Sequence, residues 1–142
     1  MEKILTLYDE LNRAGVRFYH WDLDEDPACT IEVGGNYGIF MDFHNIHSQA
    51  EELVTVAHEG GHVSTGATHK VSRPYDLIAK HEYKADKWAV RRLISPKALD
   101  AAVAEGCTDI HSLAEHFNVT ESFMKKAVCL HTHGNLSSDL YF

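Results

Sequence analysis

The spacing of hydrophobic positions changes along the chain from a helical period to a strand period and back. Apolar residues recur every three or four positions at the start and predict a short amphipathic helix that ends at Gly15. Three runs rich in aromatic and β-branched residues follow, at 16–23, 29–33 and 37–43. Gly34, Gly35 and Asn36 suit a tight turn between the last two runs. The pattern therefore predicts a short antiparallel sheet near the amino end.

Helical periodicity dominates the rest of the chain, and its boundaries are marked by capping residues. Ser48, followed three positions later by Glu51, forms a capping box that predicts the start of a helix. Further starts and stops are predicted at Pro74, Ser95, Gly106, Asp109 and Thr120. Residues 131–142 are predicted to form a loose tail. The predicted fold class is α+β, with the sheet packed on the helix that begins at Ser48 and a helical carboxyl-terminal half.

Composition limits the classes of protein to consider. With 142 residues, 44% of them hydrophobic, the chain is predicted to form one domain, 1–142. The net charge of −8 disfavours direct binding to nucleic acid, whose phosphates usually require a basic face. The three cysteines lack metal-binding spacing and are interpreted as reduced thiols of a cytoplasmic protein. No segment approaches membrane-spanning length. Both tryptophans, Trp21 and Trp88, are expected in the core.

The segment His58-Glu59-Gly60-Gly61-His62 carries the clearest chemical signal. Residues four apart on a helix lie on one face, so the imidazoles of His58 and His62 can share a metal ion. Glu59 then lies beside the ion, where it can take a proton from a water. Eleven histidines are present, so a chance match on the surface of an amphipathic helix is the alternative.

A third ligand is expected from the segment 81–89. Glu82 follows His62 by twenty positions, which is enough to turn and pack a second helix against the first. Glu82 and Asp86 share one helical face with small Ala85 and Ala89, and two carboxylates on such a packing face require a compensating cation. A zinc ion would compensate Glu82, and Asp86 would accept a hydrogen bond from the outer nitrogen of His58 or His62.

Other assignments remain open for this segment. Glu82 could instead pair with Lys87 or Arg73 on a solvated surface. His81 is the main rival ligand, although it points about 100° away from the Glu82 face. Manganese or iron could occupy similar ligands in place of zinc.

The chain resembles the ImmA/IrrE family of zinc metallopeptidases over roughly residues 30–130. The resemblance rests on Ala57-His58-Glu59-Gly60-Gly61-His62, Thr65-Gly66, His81-Glu82-Tyr83-Lys84-Ala85-Asp86-Lys87-Trp88-Ala89, Leu93-Ile94-Ser95-Pro96 and Leu113-Ala114-Glu115-His116-Phe117-Asn118-Val119-Thr120. It implies a small zincin-like domain that binds one zinc ion. It further implies that His58, His62 and Glu82 are the zinc ligands and that Glu59 is the catalytic base. Asp86 is implied to orient a ligand without binding the metal itself.

One position departs from the family pattern. Gly60 stands where a larger apolar residue is usual. Two consecutive glycines within a helix cost about 1 kcal/mol each relative to alanine. We therefore expect either a close approach of another backbone or a locally soft helix at this point.

The resemblance also implies a biological task. Members often belong to phages and other mobile elements, where they cleave or antagonise a helix-turn-helix repressor. The sequence thus predicts a zinc-dependent endopeptidase acting on a specific protein, and the alternative is a metal-stabilised anti-repressor that sequesters its partner without cutting it. A DNA-binding regulator is a third possibility, since 113–126 is similar to a helix-turn-helix. Acidity and a second helix with only Lys125 and Lys126 as cations favour a structural or partner-docking helix pair instead.

Overall fold

The helices and strands of the chain follow the predicted order. A computed structural model describes the backbone of residues 2–66 and 75–142, and the side chains of 3–66 and 78–142. Within these residues the elements are α1 (Glu2–Arg13), β1 (Arg17–His20), β2 (Ala28–Val33), β3 (Asn36–Met41), α2 (Gln49–Thr65), α3 (Tyr75–Leu93), α4 (Pro96–Ala104), α5 (Ile110–Phe117) and α6 (Glu121–His133). Short 3-10 turns lie at Phe43–Asn45 and Ser138–Leu140. The predicted α+β class is confirmed.

Capping residues fix the helix boundaries where the sequence indicated them. The Ser48 side chain accepts a hydrogen bond from the backbone N–H of Glu51, at 3.1 Å, and α2 begins at the next residue. The Glu51 carboxylate returns a bond to the N–H of His47, one position earlier than in the usual capping box. Ser95, Asp109 and Thr120 accept equivalent bonds at the starts of α4, α5 and α6. Each such bond satisfies an N–H that the helix itself leaves unpaired.

The sheet differs from the prediction in the direction of one strand. Its order is β1-β3-β2, with β2 antiparallel to β3 but β1 parallel to β3, so the prediction of a wholly antiparallel sheet was wrong. Between β1 and β2 the chain reverses once, and the turn at Gly34 and Gly35 reverses it again. Two reversals restore the original direction. The central place belongs to β3, which contributes the buried residues Ile39 and Met41.

One face of the sheet packs on α1 and α2 and forms a continuous core with the later helices. The most deeply buried large side chains of the described residues are Leu7, Val16, Ile39, Met41, Leu53, Val56, Val90, Ile94, Met124 and Cys129. Trp88 packs against this core, but Trp21 is 64% exposed and the prediction for it was wrong. Trp21 follows β1 on the outer face of the sheet, where its ring contacts Phe40 edge-on. An alternating pattern alone does not say which face of a sheet is covered.

The carboxyl-terminal segment is more structured than predicted. Helix α6 continues to His133, and the His133 ring stacks on Tyr141 with centroids 3.8 Å apart. His131 Nε2 lies 2.7 Å from the carbonyl oxygen of Ile94. Helix α6 therefore extends into the segment predicted as a loose tail, and the turn after it contacts that helix through the His133–Tyr141 stack.

The backbones of α2 and α3 lie close together at Gly61. A Cβ atom built on Gly61 would lie 2.8 Å from the Cα of Ala85 and 2.9 Å from its carbonyl carbon, closer than real Cβ atoms come. Gly60 differs, since its built Cβ meets only the ends of the Leu11 and Trp88 side chains, each at 3.2 Å. The close backbone approach expected from the glycine pair therefore occurs at Gly61. It brings the α3 face that carries Glu82 against the α2 face that carries both histidines.

Replacing Gly61 by alanine is expected to destabilise the fold. The added methyl group meets backbone of α3, which cannot move without shifting the whole helix, and such overpacking costs about 1–3 kcal/mol despite the better helix propensity of alanine. Gly60→Ala is the matched control, since the Leu11 and Trp88 side chains there need to move by only a few tenths of an ångström. Urea unfolding of the metal-free proteins measures both changes. Equal stability of the two variants would show that the close approach does not constrain residue 61.

Candidate metal centre

Two imidazoles meet on the face of α2 that is turned toward α3. His58 and His62 are one helical turn apart, and their Nε2 atoms are separated by 3.2 Å. The rings are nearly perpendicular, with centroids 4.8 Å apart. The His62 side chain is buried, at 6% exposure, whereas that of His58 is 23% exposed. The pair therefore lies at the boundary between the helix interface and a cleft open to solvent.

Glu82 on α3 contacts both imidazoles. Its Oε2 lies 2.8 Å from His58 Nε2 and its Oε1 lies 3.1 Å from His62 Nε2. One ligand atom from each of the three residues lies within 4.8 Å of the others, and among the residues that the structure describes this is the group that could hold a metal ion. The surface pairing of Glu82 with Lys87 is not formed, because Lys87 lies over the ring of Tyr83 instead. Arg73, the other proposed partner, lies outside the described residues.

Asp86 lies behind His58 and is itself held by a cation. Its Oδ1 is 2.7 Å from His58 Nδ1, which fixes the orientation of the ring and leaves Nε2 directed at Glu82. Of the two histidines that the sequence offered to Asp86, the partner is thus His58. The other carboxylate oxygen accepts a hydrogen bond at 3.0 Å from Lys126 of α6. A chain of contacts therefore connects α6 through Asp86 to the imidazole of His58.

The electrostatics of the site favour a positive charge between the carboxylates. Burial alone would lower the pKa of His58, but hydrogen bonds to Asp86 and Glu82 outweigh it and raise that pKa to about 10. The same contacts with His58 and His62 hold the pKa of Glu82 far below its ordinary value. Burial opposes ionisation of Asp86, yet its bond to His58 and the charge of Lys126 lower its pKa. These carboxylates stabilise either a proton on His58 or a metal cation. Because a metal-bound imidazole nitrogen must be deprotonated, the proton and the metal compete for His58.

The donor set fits a four-coordinate zinc ion. Zinc binds imidazole nitrogen at about 2.0–2.1 Å, so two nitrogens of one tetrahedral ion lie about 3.3 Å apart. The 3.2 Å between the Nε2 atoms of His58 and His62 matches that separation. Two nitrogens and one carboxylate leave a fourth position for solvent or substrate, as in hydrolytic zinc sites. The rival ligand His81 is buried on α3 but does not belong to the group.

Glu59 lies beside this group, at the floor of the cleft. Only 7% of the residue is exposed. Its Oε2 accepts a hydrogen bond of 2.5 Å from the hydroxyl of Thr30 on β2. The carboxylate therefore has a fixed partner on β2, and Glu59 lines the same two cavities as His58.

Two cavities meet at the site. The larger has a volume of about 790 Å³ and runs along β2. The smaller has a volume of about 290 Å³ and extends toward the start of α6. Both are lined by His58, Glu59 and Glu82. A ligand longer than one residue therefore has room on either side of Glu59.

Thr30 and Lys126 belong to the site but were missed by sequence reasoning. Thr30 precedes Glu59 by 29 positions and Lys126 follows Asp86 by 40, so no local spacing relates either pair. His69 and Tyr75 follow the motif in the sequence and could by residue type donate a hydrogen bond to an oxyanion, but their side chains lie outside those that the structure describes. Across the described residues, none of the helices combines the length and apolar character that crossing a membrane requires.

Fold and site together define a metallopeptidase-like domain, and a family comparison agrees with this class. Residues 3–128 match the model of the IrrE N-terminal-like domain, Peptidase_M78. The chain belongs to this family, and the resemblance noted from its motifs is confirmed. No match was found among curated proteins or among solved structures.

Proposed function

We propose that the protein is a zinc-dependent endopeptidase that hydrolyses a specific protein substrate. The observation that carries the proposal is the convergence of His58, His62 and Glu82 from two helices, with the Glu59 carboxylate beside them in an open cleft. A site that binds zinc only for stability is closed by four protein ligands and has no use for an adjacent carboxylate. Family membership supports the peptidase class.

In the proposed mechanism His58, His62 and Glu82 hold the ion, and Asp86 keeps His58 in the tautomer that presents Nε2. When bound, zinc supplies Lewis acidity to a water and to the scissile carbonyl. Glu59 accepts the proton of the attacking water and later donates it to the leaving amine. Burial of Glu59 limits competition from bulk water for this transfer. These are the roles expected from the sequence.

The strand that aligns the substrate is proposed to be β2. The strand predicted at 37–43 is β3, which is paired on both sides and offers no free edge to a substrate. An edge of the sheet is formed by β2, whose residues 28–31 line the larger cavity beside Glu59. An extended peptide added to this edge would pass the Glu59 carboxylate. Space on both sides of Glu59 favours cleavage within a chain over removal of a terminal residue.

The substrate is proposed to be a helix-turn-helix repressor of a phage or mobile element, as the family resemblance implies. The alternative is an anti-repressor that binds and sequesters the same partner without cutting it. Retention of Glu59 and its contact with Thr30 favour hydrolysis, since sequestration requires neither. The second helix of the pair at 113–126 is engaged within the domain, because Lys126 binds Asp86 and Phe123 is buried. This supports a structural or docking role for that pair.

Removal of the metal tests the proposed function. The zinc-loaded protein is expected to cut a purified helix-turn-helix repressor of a phage or mobile element, with β-casein as a second, unfolded substrate. Treatment with 1,10-phenanthroline should abolish cleavage, and one equivalent of zinc should restore it, because the ion supplies the Lewis acid. Fragments are followed by mass spectrometry. Cleavage that survives complete metal removal would contradict the mechanism, whereas a stable complex with no fragments would favour sequestration.

A further inference from the structure

We propose that Thr30 positions the Glu59 carboxylate for catalysis; this inference rests on the proposed function. The Thr30 hydroxyl donates a hydrogen bond of 2.5 Å to Glu59 Oε2. One carboxylate oxygen is then held by the protein, and Oε1 is left to exchange a proton with water. A strand side chain would thereby set the orientation of a base carried by the neighbouring helix.

The register of the sheet places Thr30 in this role. Thr30 pairs with Ile39 of β3, whose side chain is fully buried in the core, so the two residues share the covered face of the sheet, where Thr30 meets Glu59 of α2. The hydroxyl lies within reach of two acceptors on Glu59, the carboxylate at 2.5 Å and the backbone carbonyl at 3.5 Å. A hydroxyl has one proton, and the shorter contact to a charged acceptor is the stronger one. The bond therefore goes to the carboxylate.

The residue type suits this position for a physical reason. A β-branched side chain has few rotamers in a strand, so the Thr30 hydroxyl is held in place at little further cost in freedom. Glutamate, by contrast, has three side-chain torsions and reaches the cleft through a flexible stem. A hydrogen bond to Oε2 limits the positions that the carboxylate can sample. Catalytic groups displaced by about 1 Å can lose roughly 100-fold in rate, which makes such a constraint consequential.

Substitutions at Thr30 separate the hydroxyl from the shape of the side chain. Thr30→Val keeps the branched shape and removes the donor, whereas Thr30→Ser keeps the donor. On a cleaved substrate, Thr30→Val should lower kcat by about 10- to 100-fold with KM and zinc content unchanged, and Thr30→Ser should stay within about 3-fold of wild type. Thermal unfolding of both variants checks that the fold is intact.

A second measurement does not depend on turnover. Acetohydroxamate binds catalytic zinc and donates a hydrogen bond to a neighbouring carboxylate, so its affinity reports the placement of Glu59. Calorimetry on the zinc-loaded proteins should show binding weakened about 10-fold by Thr30→Val. The same substitution in a Glu59→Gln background should change the affinity less than about 2-fold, because its effect acts through Glu59.

The two measurements distinguish failure of this inference from failure of the proposed function. Thr30→Val with wild-type kcat and wild-type hydroxamate affinity overturns the positioning role. The positioning role is also overturned if Thr30→Val weakens hydroxamate binding equally in the wild-type and Glu59→Gln backgrounds. That result would mean that the substitution acts by altering β2 and not through Glu59. A wild-type protein that cleaves neither the repressor nor β-casein, yet shows the coupling between Thr30 and Glu59, sustains the positioning role and rejects the peptidase.

Discussion

Replacing Glu59 by glutamine is expected to lower kcat by about 10²- to 10⁴-fold, the usual contribution of a general base. Glutamine has nearly the shape of glutamate, and its side-chain oxygen can still accept a hydrogen bond from the Thr30 hydroxyl. It cannot, however, take a proton from water. Zinc binding should remain at one ion per chain, because Glu59 is not in the group formed by His58, His62 and Glu82. The variant should therefore be folded, metal-loaded and inactive.

The measurement is the rate of fragment formation by the zinc-loaded proteins on one substrate, together with metal content. Glu51→Gln is the matched control, since it makes the same change on the same helix, and glutamine suits that position of a capping box. The control should cleave at the wild-type rate. Equal activity of Glu59→Gln and wild type would exclude the proposed base, and parallel loss of zinc would assign Glu59 to metal binding instead.

Replacing Glu82 by alanine is expected to remove stoichiometric zinc. Loss of a group that only orients a ligand weakens metal binding by about 10- to 100-fold, and loss of a ligand itself should exceed that range. Glu82 is the contributor from α3 to the group, while both other members lie on α2. Without Glu82 the two imidazoles remain as a nitrogen pair that lacks the charge to neutralise a dication. Cleavage should disappear with the metal.

Zinc content after gel filtration and competition with a fluorescent chelator measure this loss. Glu115→Ala on α5 is the control, because that carboxylate is 72% exposed and makes only a surface pair with His111. The control should bind one zinc ion as tightly as wild type. Full zinc occupancy in Glu82→Ala would remove Glu82 from the site and return His81 to consideration.

Features that depend on residues close together in the sequence could be predicted, because helix geometry relates residues only a few positions apart. Residues four apart on an α-helix share a face, so His58 with His62 and Glu82 with Asp86 could be paired from spacing alone. The small residues beside Glu82 indicated that its face packs closely, and Ala85 is the residue that meets Gly61. Capping side chains mark helix ends by bonds to nearby N–H groups, which explains the accuracy of the predicted starts.

Contacts between distant segments could not be predicted in the same way. Strands share one period, so their sequences do not state which neighbour each pairs with or in which direction, and β1 was assigned the wrong direction. For the same reason, the sequence did not indicate that β2 would form the free edge of the sheet beside the cleft. Thr30 with Glu59 and Lys126 with Asp86 depend on tertiary packing across 29 and 40 positions. The exposure of Trp21 depends on which sheet face the helices cover.

The central claim is that one divalent ion is bound by side chains from α2 and α3. Anomalous diffraction at the zinc edge, from crystals grown with one equivalent of zinc, tests it most directly. We expect one peak per chain, about 2.0–2.2 Å from His58 Nε2, His62 Nε2 and a Glu82 carboxylate oxygen. A peak bound by other residues, with the Glu82 carboxylate distant from both imidazoles, would contradict the account.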